Sequence, residues 1–177
     1  MTTKSLIRIV LIFLIIMVNI GCDQFSKKII KQSVLSYETI RILNDHLTVT
    51  RVENSGAFLS AGDSMSRASK RVFLTLVPII AIALGLIYLL LKPVSKNMLI
   101  GLSFVIGGGI GNLFDRLLYG SVTDFLFVKV GFFETGIFNL ADVSIMTGMF
   151  LVFLQFFTGR NRPQQILSSS SQGDIRP

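Results

Sequence analysis

The chain has 177 residues, 51% of them hydrophobic and only 15% charged, where soluble domains carry about one quarter charged residues, so a soluble globular fold is excluded. One cysteine, Cys22, and one histidine, His46, rule out an internal disulfide, a cysteine zinc cluster and a histidine-pair motif, so no metal and no cofactor is expected. The formal charge of +7 comes without a basic stripe interleaved with aromatics, which points away from nucleic acid and toward membrane lipid as the partner of the lysines and arginines.

Four stretches, 5–21, 72–91, 98–118 and 138–157, are apolar over roughly the 20 residues a membrane-spanning helix needs. The first has a basic start and ends in Gly21-Cys22, as a lipoprotein signal does. Three further spans follow, however, and Asn19 stands where such signals favour an apolar residue, so the run reads as a permanent membrane helix. Cys22 then reads as a small apolar packing residue. Asp23 and Lys27, four residues apart, share a helix face and are placed to form an ion pair.

The loop 22–71 is predicted to hold one strand at the membrane surface, in the β-branched run Leu47-Thr48-Val49-Thr50-Arg51-Val52-Glu53, and a short interfacial helix over 64–71. Lys92-Pro93 ends the second span, and the basic turn 92–96 makes spans two and three an antiparallel hairpin. In span three, Gly107 and Gly111 allow close helix contact before Asn112, Asp115 and Arg116 at its polar end. These glycines lie inside an apolar span, so they are not a dinucleotide loop. The loop 119–137 has a second strand over Val122–Val130, carrying Asp124. Asn139 is placed to cap span four, with Asp142 in its first turn. The tail 159–177, with Pro163 and the serine run, is predicted to be disordered and dispensable.

Lys4, Arg8, Lys92, Lys96, Arg160 and Arg162 all fall on one side, which the positive-inside rule makes cytoplasmic, together with both termini. The opposite loop, 22–71, carries eight basic residues against five acidic ones, but long loops translocate largely regardless of charge. The fold expected is a mainly α membrane protein, four transmembrane helices with a small β-rich cradle on the outer side, forming one domain over 1–158.

After residue 63 the acids are Asp115, Asp124, Glu134, Asp142 and Asp174. Asp115 and Asp142 fall within or at the ends of spans, where ionisable groups are costly, so function is the default for them, and Asp124 in the second strand-like loop faces the same membrane boundary. Two neighbouring aspartates can share one proton, leaving one carboxylate as a base and one acid as a donor, which is the chemistry of aspartic proteases. With a single histidine and a single cysteine, no competing nucleophile–base pair stands out. A transporter lined by these acids, or an assembly subunit using the Gly107–Gly111 surface, remain the other classes compatible with them.

Five blocks in order carry a family resemblance: Asp23-Gln24-Phe25-Ser26-Lys27, Asn54-Ser55-Gly56-Ala57-Phe58, Gly108-Gly109-Ile110-Gly111-Asn112-Leu113-Phe114-Asp115-Arg116, Val122-Thr123-Asp124-Phe125 and Phe138-Asn139-Leu140-Ala141-Asp142. Together they resemble the bacterial lipoprotein signal peptidase, signal peptidase II; Phe58 stands where many members have a small residue. The resemblance implies an inner-membrane aspartic endopeptidase, monomeric, with its site near the periplasmic face. It would cut diacylglyceryl-modified prolipoproteins just before the lipidated cysteine and be blocked by globomycin-type inhibitors. Carried over by motif, Asp124 and Asp142 are the catalytic pair, with Asp115 the competitor for the first place. Asp23, Lys27, Asn54, Gly56, Gly108, Asn112, Asp115, Arg116, Asn139 and Ala141 support the pocket.

Overall fold

A computed structural model describes residues 3–43, 46–56 and 66–159. Among them, four helical stretches are long and apolar enough to cross a membrane: Thr3–Ser33, Ala68–Leu91, Lys96–Tyr119 and Leu140–Phe157. The predicted tail beyond residue 159, the start of the interfacial helix at 64–65, and Ala57 and Phe58 lie outside the described residues.

Helix α1 (Thr3–Ser33) runs well past the predicted end of the first span at residue 21. At 1.5 Å per residue it is about 46 Å long, more than the roughly 30 Å of hydrocarbon, so its second part stands beyond the apolar run. That part continues as helix because Lys27, Lys28, Lys31 and Gln32 are good helix formers and because Lys27 reaches back one turn to Asp23. Cys22 is exposed rather than packed. Adjacent helical residues point about 100° apart, and it is Asp23 that turns inward.

The second crossing is built in three pieces: α2 (Arg67–Arg71), a π-helical turn (Val72–Leu76) and α3 (Val77–Leu91). Pro78 has no N–H to give the carbonyl of Leu74, and the wider π turn accommodates that gap. Helix α4 (Lys96–Tyr119) is capped by Ser95, whose Oγ accepts from the Met98 N–H at 3.2 Å, and ends at Gly120, which takes the left-handed conformation with φ 77°. Helix α5 (Leu140–Gly159) completes the bundle. Arg8 donates to the carbonyls of Leu89 and Lys92, so the start of α1 and the α3–α4 turn share one end of the molecule.

At the other end lies a four-stranded antiparallel sheet in the order β1 (Thr39–Ile42), β2 (Leu47–Asn54), β3 (Val122–Val130), β4 (Phe133–Glu134). β2 and β3 are the two predicted strands. β1 and β4 were not anticipated: β1 alternates polar and apolar residues, Thr39-Ile40-Arg41-Ile42, but over only four exposed positions, and β4 is two residues, too short to show a period.

Helix α4 is the hub, and its glycines set how near the others come. A Cβ at Gly107 would sit 2.8 Å from the Asn19 Cβ of α1, and one at Gly111 would sit 2.6 Å from Asp23 Oδ2. On the α5 side, a Cβ at Gly108 would collide with the Ala141 carbonyl oxygen and lie 2.9 Å from Ile145 Cγ1. Backbone cannot swing away as a side chain can, so Gly108→Ala is expected to cost about 1–3 kcal/mol. Thermal unfolding in detergent should show a lowered midpoint for it and none for Gly21→Ala, whose added methyl would meet nothing within 4 Å.

Candidate active site

The site lies where the sheet meets the outer ends of α1, α4 and α5. The first half of β3 is buried residue by residue from Val122 to Phe125, which places Asp124 at 4% exposure. Opposite it, β2 carries a bulge: between Val49 and Val52 it advances one residue more than β3 does between Leu126 and Asp124. Bulges re-aim the side chains around them. Beyond this one, Asn54 Nδ2 donates to Asp124 Oδ2 at 2.8 Å.

Asp142 is held from the other side by the start of α5. The Asp142 N–H donates to Asn139 Oδ1 at 3.0 Å, while the Asn139 N–H donates to Asp142 Oδ2 at 3.1 Å, a reciprocal cap of the helix. Asn139 does more than cap. Its Nδ2 donates to Asp124 Oδ1 at 2.6 Å, so one fully buried residue holds both carboxylates. Asn112 Nδ2 also donates to Asp142 Oδ1, at 2.8 Å.

Behind the aspartates is a buried charged group. Lys27 Nζ, 2% exposed, lies 2.7 Å from Asp23 Oδ2 and 2.9 Å from Asp115 Oδ2, and donates to Asn112 Oδ1 at 3.1 Å. An ammonium only donates, so it holds the carbonyl end of the Asn112 amide toward itself and turns the NH₂ end to Asp142. Asp23 Oδ1 accepts the Ala141 N–H at 3.0 Å, which ties the same cluster to the first turn of α5. Arg116 Nη2 donates to the Gly56 carbonyl at 3.0 Å, and the Gly56 N–H donates to Asn54 Oδ1 at 2.9 Å. Arg116 and Gly56 therefore hold the asparagine that holds Asp124.

The candidates scattered from Asp23 to Asp142 are thus neighbours in space, and Gly108 is a point of close approach between α4 and the start of α5. Asp115 faces Lys27, with Gln24 bonded to its other oxygen, rather than joining the hydrogen bonds that link Asp124 and Asp142. Gln24 was passed over in the sequence. Its Nε2 lies 3.1 Å from Asp23 Oδ2, the Gly111 carbonyl and Asp115 Oδ1, and its place directly after Asp23 in a polar block was the available signal. Ser144 was also missed; its Oγ donates to Asn19 Oδ1 at 2.5 Å one turn deeper.

Burial pushes the Asp124 carboxyl up from 3.8 to about 6. The hydrogen bonds from Asn54 and Asn139 oppose that rise by favouring the charged form, and the nearby Asp142 charge adds to it. Among the described residues, Asp142 lines two cavities. One of about 540 Å³ lies between the π turn, α4 and α5, lined by Leu74, Pro78, Gly109, Ile145 and Met149. The other, about 430 Å³, lies on the far side of α5, lined by Phe133, Phe138, Val143 and Thr147. Met146 borders both. Asp142 is thus a polar group at the head of two apolar grooves.

The family described as Signal peptidase (SPase) II matches residues 15–158 of the chain. The lipoprotein signal peptidase of Maridesulfovibrio salexigens is 33% identical over 150 residues, covering 83% of this chain and 95% of that protein. That of Enterococcus faecalis is 34% identical over 148 residues, covering 82% and 87%. A solved structure described as a bacterial membrane enzyme superposes with a TM-score of 0.78 at 24% identity, over 89% of this chain and 94% of that one, a likeness of fold.

Proposed function

The chain belongs to the signal peptidase II family, aspartic peptidases of the membrane that remove signal peptides from prolipoproteins, and on that premise we propose that Asp124 and Asp142 are its catalytic pair. The observation that carries this reading is Asn139, whose backbone and side chain hold both carboxylates at the sheet end of the bundle. Family membership displaces the transporter and assembly-subunit readings.

In the mechanism we propose, Asp124 carries the shared proton and Asp142 is the base. Asp142 lies in the first turn of α5, where the helix dipole favours an anion, and accepts from Asn112 and from the Asn139 backbone. It takes a proton from water as the water oxygen attacks the scissile carbonyl carbon, while Asp124 gives its proton to the carbonyl oxygen. The tetrahedral diol then returns a proton to Asp124, Asp142 protonates the amide nitrogen, and the C–N bond breaks.

The bond cut is the one just before the diacylglyceryl-modified cysteine, and the apolar grooves beside Asp142 are where the acyl chains of a membrane-anchored substrate would lie. The enzyme works as a single domain over 1–158 and as a monomer, and is blocked by globomycin-type inhibitors. It sits in the bacterial inner membrane with both termini cytoplasmic, an orientation supported by Lys4, Arg8, Lys92 and Lys96 at the end remote from the sheet. A lipidated prolipoprotein incubated with the enzyme in detergent should yield a mature product whose first residue is the modified cysteine. Cleavage elsewhere, or equal cleavage of the unlipidated precursor, would overturn the reading.

The pH profile tests the proton assignment. Because Asp124 must be protonated to donate, kcat/KM is expected to fall on the alkaline side as the carboxyl, at about 6 in the free enzyme, ionises. Asn54 favours the ionised form, so Asn54→Ala should move that limb to higher pH. A limb that stays in place or moves down would assign the proton elsewhere.

A further inference from the structure

The turn between β3 and β4 exposes the bulkiest apolar side chains of the sheet. Val130 pairs with Phe133, leaving Gly131 and Phe132 as a two-residue turn, with Gly131 at φ 60° in the first position, as a type II′ hairpin requires. Phe132 is 103% exposed and Phe133 65% exposed. Immediately behind them Lys129 and Glu134 form an ion pair, and Thr135 exchanges hydrogen bonds with Val128, so the tip is held firmly. In water this arrangement would be unfavourable, since rigid apolar side chains at a strand tip gain nothing from solvent.

The position of the hairpin says what meets it. Phe133 and Thr135 face the same cavity as Val143, Met146 and Thr147 of α5. Met146 and Thr147 lie about 10 Å along the helix from its start at Leu140, at 1.5 Å per residue. The hairpin therefore descends beside the outer turns of a membrane-spanning helix instead of standing above them. The surface it adjoins is lipid-facing: Val143, Met146, Met149, Phe150 and Phe153 of α5 are all exposed and apolar.

We propose that the Val130-Gly131-Phe132-Phe133 tip is an interfacial anchor, inserted among the glycerol and upper acyl groups of the leaflet at the sheet end, with the Lys129–Glu134 pair at headgroup level. Aromatic side chains favour that zone, and a charged pair just behind them sets the depth. Asp124 lies on the same strand as the anchor, so the tip holds the catalytic strand at the height where a lipid-linked peptide emerges, a consequence that rests on the proposed function.

The chain contains no tryptophan, so Phe132→Trp gives a single tryptophan, excited selectively over the three tyrosines, at an exposed position. In phosphatidylcholine–phosphatidylglycerol bilayers its emission should be blue-shifted and quenched more strongly by lipid brominated near the carbonyl end of the acyl chain than by lipid brominated near the methyl end. Met149→Trp, on the lipid face of α5, is the reference for a residue inside the bilayer. Red-shifted emission of Phe132→Trp, quenched by aqueous iodide and by neither lipid, would overturn the proposal. So would a blue shift insensitive to bromine that grows with protein density, which would mean a second copy covers the tip. Neither outcome depends on cleavage, so failure here leaves the catalytic assignment standing.

Discussion

Asp124→Asn and Asp142→Asn are each expected to lower the turnover of a lipidated prolipoprotein by about 10⁴-fold or more, because each removes a proton carrier on which both halves of the reaction depend. Asp115→Asn should retain measurable turnover, since Asp115 faces Lys27 rather than the linked aspartates. Turnover surviving in Asp124→Asn and lost in Asp115→Asn would reverse the assignment. A stability measurement separates loss of chemistry from loss of fold. Asp124 binds its proton more tightly folded, at about 6, than unfolded, at 3.8, so between these values the native state holds more protons than the unfolded one. Native stability contributed by this group therefore falls as pH rises through that window, by roughly 3 kcal/mol once the carboxyl is fully ionised. Asparagine does not titrate. The melting temperature of Asp124→Asn relative to the unmodified protein should rise from pH 4 to pH 6 while its activity stays absent; a difference independent of pH would mean that the buried charge carries no such cost.

Lys27→Met is expected to be the most damaging single change to stability, by roughly 3–5 kcal/mol. It leaves Asp23 and Asp115, 0% and 1% exposed, without the ammonium between them. The loss extends to the reaction. Lys27 and Asn139 Nδ2 both donate to Asn112 Oδ1, so losing the lysine leaves only Asn139 to hold the amide that donates to Asp142, and the displacement of Asp23 loosens the bond to the Ala141 N–H at the start of α5. Adding Asp115→Asn to Lys27→Met should restore part of the melting temperature, because one of the two stranded charges is gone. If the double variant melts no higher than Lys27→Met, lost packing of the lysine stem, and not electrostatics, accounts for the effect.

The same cluster separates what could be read along the chain from what could not. The four spans were legible because a bilayer demands an unbroken apolar run, and β3 was found at its observed bounds because its β-branched, apolar character is local. The Asp23–Lys27 pair was legible because helix periodicity alone brings residues four apart together. The end of α1 was not: the apolar run stops near residue 21 while backbone hydrogen bonding continues to Ser33, since a helix needs favourable propensity and a packed face but not hydrophobicity. Strands β1 and β4 were passed over because they are short and exposed: the alternation of β1 lasts only from Thr39 to Ile42, and β4 has two residues. Asn139 was recognised as a cap from its spacing to Asp142, but nothing local says that its other amide end reaches Asp124.

The sequence by itself determined that this is a four-span membrane protein, which residues are too polar to lie at a membrane boundary without purpose, and, through the order of its motifs, the family to which it belongs. Tertiary structure alone decided which acid answers which. Asp115 is one residue from Arg116 and yet faces Lys27, while Asp124 and Asp142 are joined by Asn139 across the gap between a strand and a helix. Those pairings depend on how closely α4 lets α1 and α5 approach at its glycines and on the bulge beside Asp124, both products of packing between elements distant in the chain.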